Sequence, residues 1–128
     1  MTSDQQALAC TCAHLADERK AEDILVLDVD QMAFFTDYFV IATGRNDRQI
    51  GAIADEVLAR MRELGQPVIG VEGEPNSGWV LIDVGSVIVH LFTPSARRLY
   101  DLELLWGAAP RVAWQQEQPL AGGAARER

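Results

Sequence analysis

Two apolar runs, Trp79–Val84 and Val87–Phe92, flank the dipeptide Gly85-Ser86, and such a dipeptide between β-branched runs closes a tight hairpin with positive φ at Gly85. A two-residue turn fixes the register, placing Val84 opposite Val87, Ile82 opposite Val89 and Val80 opposite Leu91. The face shared by those six residues is purely aliphatic and has to be core. The other face receives Trp79, Leu81 and Asp83 from one strand and Ile88, His90 and Phe92 from the other, with Asp83 diagonal to His90. A mixed set of this kind suits a recognition or chemical surface. The alternative is a face buried under a helix, with His90 and Asp83 satisfying each other.

The remaining chain supplies partners for this hairpin. Ser3 followed by Gln6 has the form of a capping box, and Leu8, Cys12 and Leu15 recur at helical spacing, so residues 4–19 read as a first helix with a thin apolar stripe. Residues 23–29 and 38–42 read as strands, joined by a connection containing Met32, Phe34 and Phe35. Asp47 is placed to cap a helix over residues 48–64, whose broad apolar face ends at Gly65. Residues 68–72 read as another strand and residues 72–78 as a polar loop. Thr93-Pro94 starts a last helix ending near Trp106-Gly107. Leu99, Leu102 and Trp106 mark one of its faces, and Arg97, Tyr100 and Leu104 a second, so one side serves the core and the other a partner, with Trp106 read as core. The order α-β-β-α-β-β-β-α defines an α+β fold, a mixed five-stranded sheet with helices packed on it. The expectation is one domain over residues 1–110 and a flexible tail over 111–128, rich in Gln, Ala and Gly.

Charge narrows the partners. The 128 residues carry 19 acidic and 11 basic side chains, a net charge of −8. Residues 1–20 hold three acids and two bases and residues 111–128 two acids and three bases, so the whole imbalance sits in residues 21–110. Such a field repels RNA and DNA as main contacts and steers basic proteins. Cys10 and Cys12, two positions apart on a helix, are badly placed for an intrachain bridge and fit a reducing cytoplasm. With His14 they form a Cys-x-Cys-x-His cluster, but no second ligand group follows, so no metal is expected. No charged leader precedes an apolar run and no window is long enough to span a membrane.

Catalysis would need more than the sequence offers. Asp28 and Asp30 form a D-x-D at a strand end, able in principle to hold a divalent ion. A nucleotidyl-transfer site wants a third carboxylate and a small-residue phosphate turn ahead of the pair, whereas Thr43-Gly44 comes after it and Arg45-Asn46 follows. No glycine-rich phosphate loop and no nucleophile motif occurs. The reading is therefore not an enzyme and no cofactor, the alternative being a nucleotide-binding or nucleotidyltransferase-like enzyme using Asp28 and Asp30.

Six ordered segments carry a specific resemblance. Asp37 to Gly44 (DYFVIATG), Asp47-Arg48-Gln49, Glu72-Gly73, Trp79 to Asp83 (WVLID), Val89 to Phe92 (VHLF) and Tyr100 to Glu103 (YDLE), with Leu105-Trp106, are similar to the ribosomal silencing factor, or Iojap, family over about residues 20–110. The resemblance implies a nucleotidyltransferase-like fold without the catalytic apparatus. It implies binding to the large ribosomal subunit through its ribosomal protein number fourteen, steric blocking of subunit joining when nutrients are scarce, a part in large-subunit maturation, and a homodimer. On this reading Trp79, Asp83, His90, Arg97, Tyr100, Leu102 and Glu103 form the contact, Trp79 and Tyr100 as anchors and Asp83 and Glu103 as acceptors for Lys or Arg. Asp37, Tyr38, Gly44, Asp47 and Arg48 shape the strand-to-helix turn. The chain departs from the family pattern at Arg45-Asn46, where Asn-Ser is usual, at Ser86, at Leu104, and at Phe34 and Phe35, which would enlarge a dimer contact if exposed.

Overall fold

The β-branched runs pair as their alternation requires. In the computed structural model, which describes residues 3–120, β1 (Glu22–Asp28), β2 (Tyr38–Thr43), β3 (Gly70–Glu72), β4 (Trp79–Asp83) and β5 (Val87–Phe92) form one sheet in the order β1-β2-β5-β4-β3. β2 and β5 run parallel, and the other neighbours antiparallel. The hairpin register is the one its turn dictates: Val80 faces Leu91, Ile82 faces Val89, and the Val84 N–H donates to the Val87 carbonyl at 3.0 Å. Gly85 turns the chain at φ +88°, a conformation open to glycine at little cost.

Register sorts the sheet into two faces. Val26, Val40, Ala42, Val80, Ile82, Val89 and Leu91 lie on one, under α1 (Asp4–Glu18) and α2 (Asp47–Leu64), and make the main core. Ile50, Ile53, Val57 and Met61 give α2 its buried stripe, each large aliphatic group contributing about 1.5–3 kcal/mol by leaving water. Leu27, Phe39, Ile41, Ile88 and Phe92 lie on the other face and form a second, smaller core with Val29, Ala33, Ala96 and Ala109. Two short helices, α3 (Pro94–Tyr100) and α4 (Leu102–Trp106), partly cover it.

Several sequence expectations need correction. Asn46, not Asp47, caps α2: its side chain accepts from the Gln49 N–H at 2.9 Å, and Asp47 occupies the first turn, where a carboxylate suits the helix dipole. The third strand begins at Gly70 rather than Val68, because its partner β4 ends at Asp83 opposite Gly70 and the Val84 N–H is already bonded to the Val87 carbonyl. α1 is buried on far more than a thin stripe, with Leu8 through Ala13, Leu15 and Ala16 all enclosed. Its Ala, Cys and Thr side chains are small enough for close approach by sheet and helix together.

The last helix is broken where the sequence reads as continuous. Asp101 adopts φ +45°, ψ +58°, a left-handed conformation that Asp tolerates better than most residues, and separates α3 from α4. Residues six apart on a straight helix lie about 9 Å along and on different faces. The elbow brings Arg97 and Glu103 together at 3.1 Å.

Nor is the segment after Pro110 free as far as it is described. The Asp28 N–H donates to the Pro110 carbonyl, the Val112 N–H to the Val26 carbonyl, and Trp114 is buried with its Nε1–H on the Ile24 carbonyl at 3.3 Å. His14 donates to the Glu117 carbonyl at 2.7 Å, and the Leu120 N–H to Thr11 Oγ1. Residues 111–120 therefore cover the outer edge of β1 and one side of α1. The rest of the expected tail, residues 121–128, lies outside the described residues.

Candidate protein-docking groove

Alternation along β4 and β5 puts Trp79, Leu81 and Asp83 beside Ile88, His90 and Phe92 on the less covered face. The rings form a continuous strip. Tyr100 lies 4.5 Å from Trp79 between centroids, Trp79 lies 5.2 Å from Phe92, His90 lies 4.9 Å from Phe39, and Phe39 lies 5.1 Å from Trp106. Where α3 stops short of the sheet edge, Glu72, Gly73, Ser77, Trp79, Leu81 and Tyr100 line a groove of about 200 Å³. Exposed Leu99, Leu104 and Leu105 stand on the two short helices.

The seven residues expected at the contact have different fates. Trp79 is half-buried and Tyr100 is 46% exposed, and together they form the aromatic wall of the groove. His90 is buried beneath them. The Trp79 Nε1–H donates to His90 Nδ1 at 3.3 Å, and His90 Nε2 has no partner among the described residues. Burial pushes the His90 pKa down to about 4, so the ring is neutral near pH 7.

His90 and Asp83 do not satisfy each other: the Asp83 carboxylate accepts from the Gly85 N–H at 2.8 Å and closes the hairpin turn. Arg97 and Glu103 are occupied internally. The guanidinium donates to both Glu103 oxygens, at 3.3 and 3.1 Å, and to Thr43 Oγ1 at 2.7 Å, tying the elbow to the end of β2. Leu102 packs on the second core. Trp106, read as core, packs there too, against Phe39.

Sequence reasoning missed Glu72, Ser77 and Leu81 as groove walls, although Leu81 was already on the correct face. It also missed the close approach at Gly73. There φ is +81°, and an added Cβ would collide with the Trp79 carbonyl oxygen, so glycine is what lets the loop close against β4.

Asp28 and Asp30 lie on the other side of the molecule, near Asp37 and Tyr38. Asp28 Oδ1 accepts from the Asp30 N–H at 3.1 Å, so the pair folds into an Asx turn. Asp37 is held above the usual carboxylate range by desolvation and by the neighbouring Asp30 and Asp28. Among the described residues no group of three or more His, Cys, Asp or Glu side chains is arranged to hold a metal ion. No described helix is long and apolar enough to cross a membrane.

Fold and site together define an α+β domain whose sheet is closed on one face and carries an aromatic groove on the other. The chain belongs to the ribosomal silencing factor family: the family model described as "Ribosomal silencing factor during starvation" matches residues 2–128. It is 41% identical over 107 residues to the ribosomal silencing factor of Bacillus subtilis, covering 84% of this chain and 91% of that protein. It is also 34% identical over 92 residues to the mouse mitochondrial assembly of ribosomal large subunit protein 1, covering 70% of this chain and 40% of that longer protein. A crystal structure of a Chromobacterium violaceum protein superposes with a TM-score of 0.78 at 32% identity, covering 97% of this chain and 98% of that one.

Proposed function

We propose that the protein represses translation by binding the large ribosomal subunit through its ribosomal protein number fourteen, where it sterically blocks joining of the small subunit under nutrient limitation. The observation that carries this reading is the Trp79–Tyr100 groove, a half-exposed aromatic wall on a chain of the silencing family. Tyr and Trp supply large contact area at low entropic cost and anchor interfaces of this kind. The net charge of −8 complements a basic ribosomal protein and speeds the encounter. Trp79, Tyr100 and the open oxygen of Asp83 make the direct contact. Arg97, Glu103, Leu102 and His90 hold the elbow and the strip from behind.

A part in large-subunit maturation accords with the name of the mouse relative. The compartment is the cytoplasm. The protein acts as a homodimer through the loop bearing Met32, Phe34 and Phe35, all exposed, with Phe34 fully so.

A subunit-association assay tests the function. Added protein should leave 30S and 50S subunits unjoined, and Trp79→Ala with Tyr100→Ala should abolish sedimentation with large subunits while the thermal melt stays cooperative. Full association in the presence of excess protein would sink the silencing reading, and undiminished sedimentation of the double variant would sink the site.

A further inference from the structure

An acidic protein has little reason to gather unpaired arginines, yet one cleft does so. Arg45, Asn46, Asp47 and Arg48 at the start of α2 face Asn76 to Gly78 and the Thr93–Ser95 start of α3, with Arg98 completing an open cleft of about 730 Å³. Three of the chain's eleven basic residues meet there, with Asp47 the one acid in the lining. Among the described residues, Arg19, Arg60 and Arg97 are ion-paired and Arg45, Arg48, Arg62, Arg98 and Arg111 are not, and three of those five meet in this cleft. Unpaired guanidinium groups repel one another and gain from a polyanion between them.

The cleft adjoins the aromatic groove. Ser77 lines both, Gly78 lies between them in sequence, and Arg98 and Tyr100 are two residues apart on α3. The Thr93 N–H donates to the Gly78 carbonyl at 2.9 Å and fixes the two walls against each other. Among the described residues no aromatic side chain lines the cleft. It therefore offers no stacking platform for a base, and its exposed arginines enclose no small ligand.

We infer that this cleft takes backbone phosphates of RNA lying beside the protein surface on which the Trp79–Tyr100 groove docks. The inference rests on the proposed attachment to the large subunit. The chain's net charge keeps free RNA away. Once the groove is seated, the arginines meet nearby phosphates at high effective concentration, so the contact adds to docking without binding RNA on its own. Contacts of this type position a protein and read no sequence.

The test is the salt dependence of binding to large subunits, beside binding to isolated ribosomal protein fourteen. The variants are Arg45→Ala/Arg48→Ala/Arg98→Ala and the charge-preserving triple Lys variant. For the Ala variant the slope of log affinity against log salt on large subunits should shrink by about two. The Lys variant should keep most of that slope. Neither should change affinity for the isolated protein. All three side chains are exposed, so the melt should stay that of the parent.

An unchanged slope in the Ala variant would overturn the inference, as would an equal loss with the isolated protein, which would make the arginines part of the protein contact. Binding of a nucleoside triphosphate to the wild type that disappears in the Ala variant would also overturn it, in favour of a small-molecule site. If the wild type fails to sediment with large subunits at all, the proposed function falls along with the cleft. If it sediments and only the slope is insensitive, the cleft alone falls.

Discussion

His90 shows how one side chain links stability to the groove. Opposite Leu81 in the register, it has Trp79 and Asp83 as its two diagonal neighbours. The Gly85 N–H, two positions along the chain, captures Asp83, so the indole donates to His90. Alternation put all three on one face, but the diagonals are equivalent in sequence, and only the turn geometry decides between them. The pKa of about 4 lies below the ordinary value of 6.5, so the unfolded chain takes up a proton before the folded one does. Stability from the neutral ring is complete above about pH 6.5. It is lost as pH falls from there toward 4, by up to roughly 3 kcal/mol. Protonation would also turn Nδ1 from acceptor to donor and break its bond to Trp79. Denaturant melts of wild type and His90→Phe between pH 4 and 7.5 check this. The wild type should lose ground on the variant as pH falls, and a pH-independent difference would contradict the assignment.

At the scale of elements, the hairpin and α2 were legible because each follows a single strong period, two for the strands and 3.6 for the helix. The elbow was not. Arg97 and Tyr100 sit on one apparent face of a continuous helix and Leu102 and Trp106 on another. Nothing local announces that Asp101 turns left-handed so that Arg97 can reach Glu103 and Thr43. That break exposes Leu104 and Leu105 and leaves Tyr100 standing over Trp79. The β3–β4 loop is the other wall of the groove, and its tolerance is narrow at Gly73. Gly73→Ala combines a positive φ with a clash against the Trp79 carbonyl, and should cost about 1–3 kcal/mol. It should also weaken large-subunit binding by more than the lost stability explains, because the loop cannot relax without moving Trp79. Melting temperature and sedimentation measured on the same preparation separate the two effects. A variant that melts lower yet binds like the wild type would show that the groove does not depend on that loop.

For the molecule as a whole, the packed segment after Pro110 is what composition misled most. Gln, Ala and Gly read as a tail, but one tryptophan outweighs them: Trp114 joins the main core with Cys10 and Cys12 and sets its ring edge-on to His14 at 5.1 Å. The chain thus runs back along β1 and α1, closing an edge that would otherwise invite strand addition. Burial holds the Cys10 thiol up at about 11 and the Cys12 thiol at about 12, so neither is a thiolate near neutral pH. Trp114→Ala should remove about 3–5 kcal/mol and open α1 to solvent from the C-terminal side. Alkylation of the native protein near pH 8 reads both consequences at once. The wild type should label slowly, only through global unfolding, and the variant should label far faster and melt lower. Equal labelling rates would mean that α1 and the sheet protect the thiols without the last segment, and that residues 111–120 lie on the core without closing it.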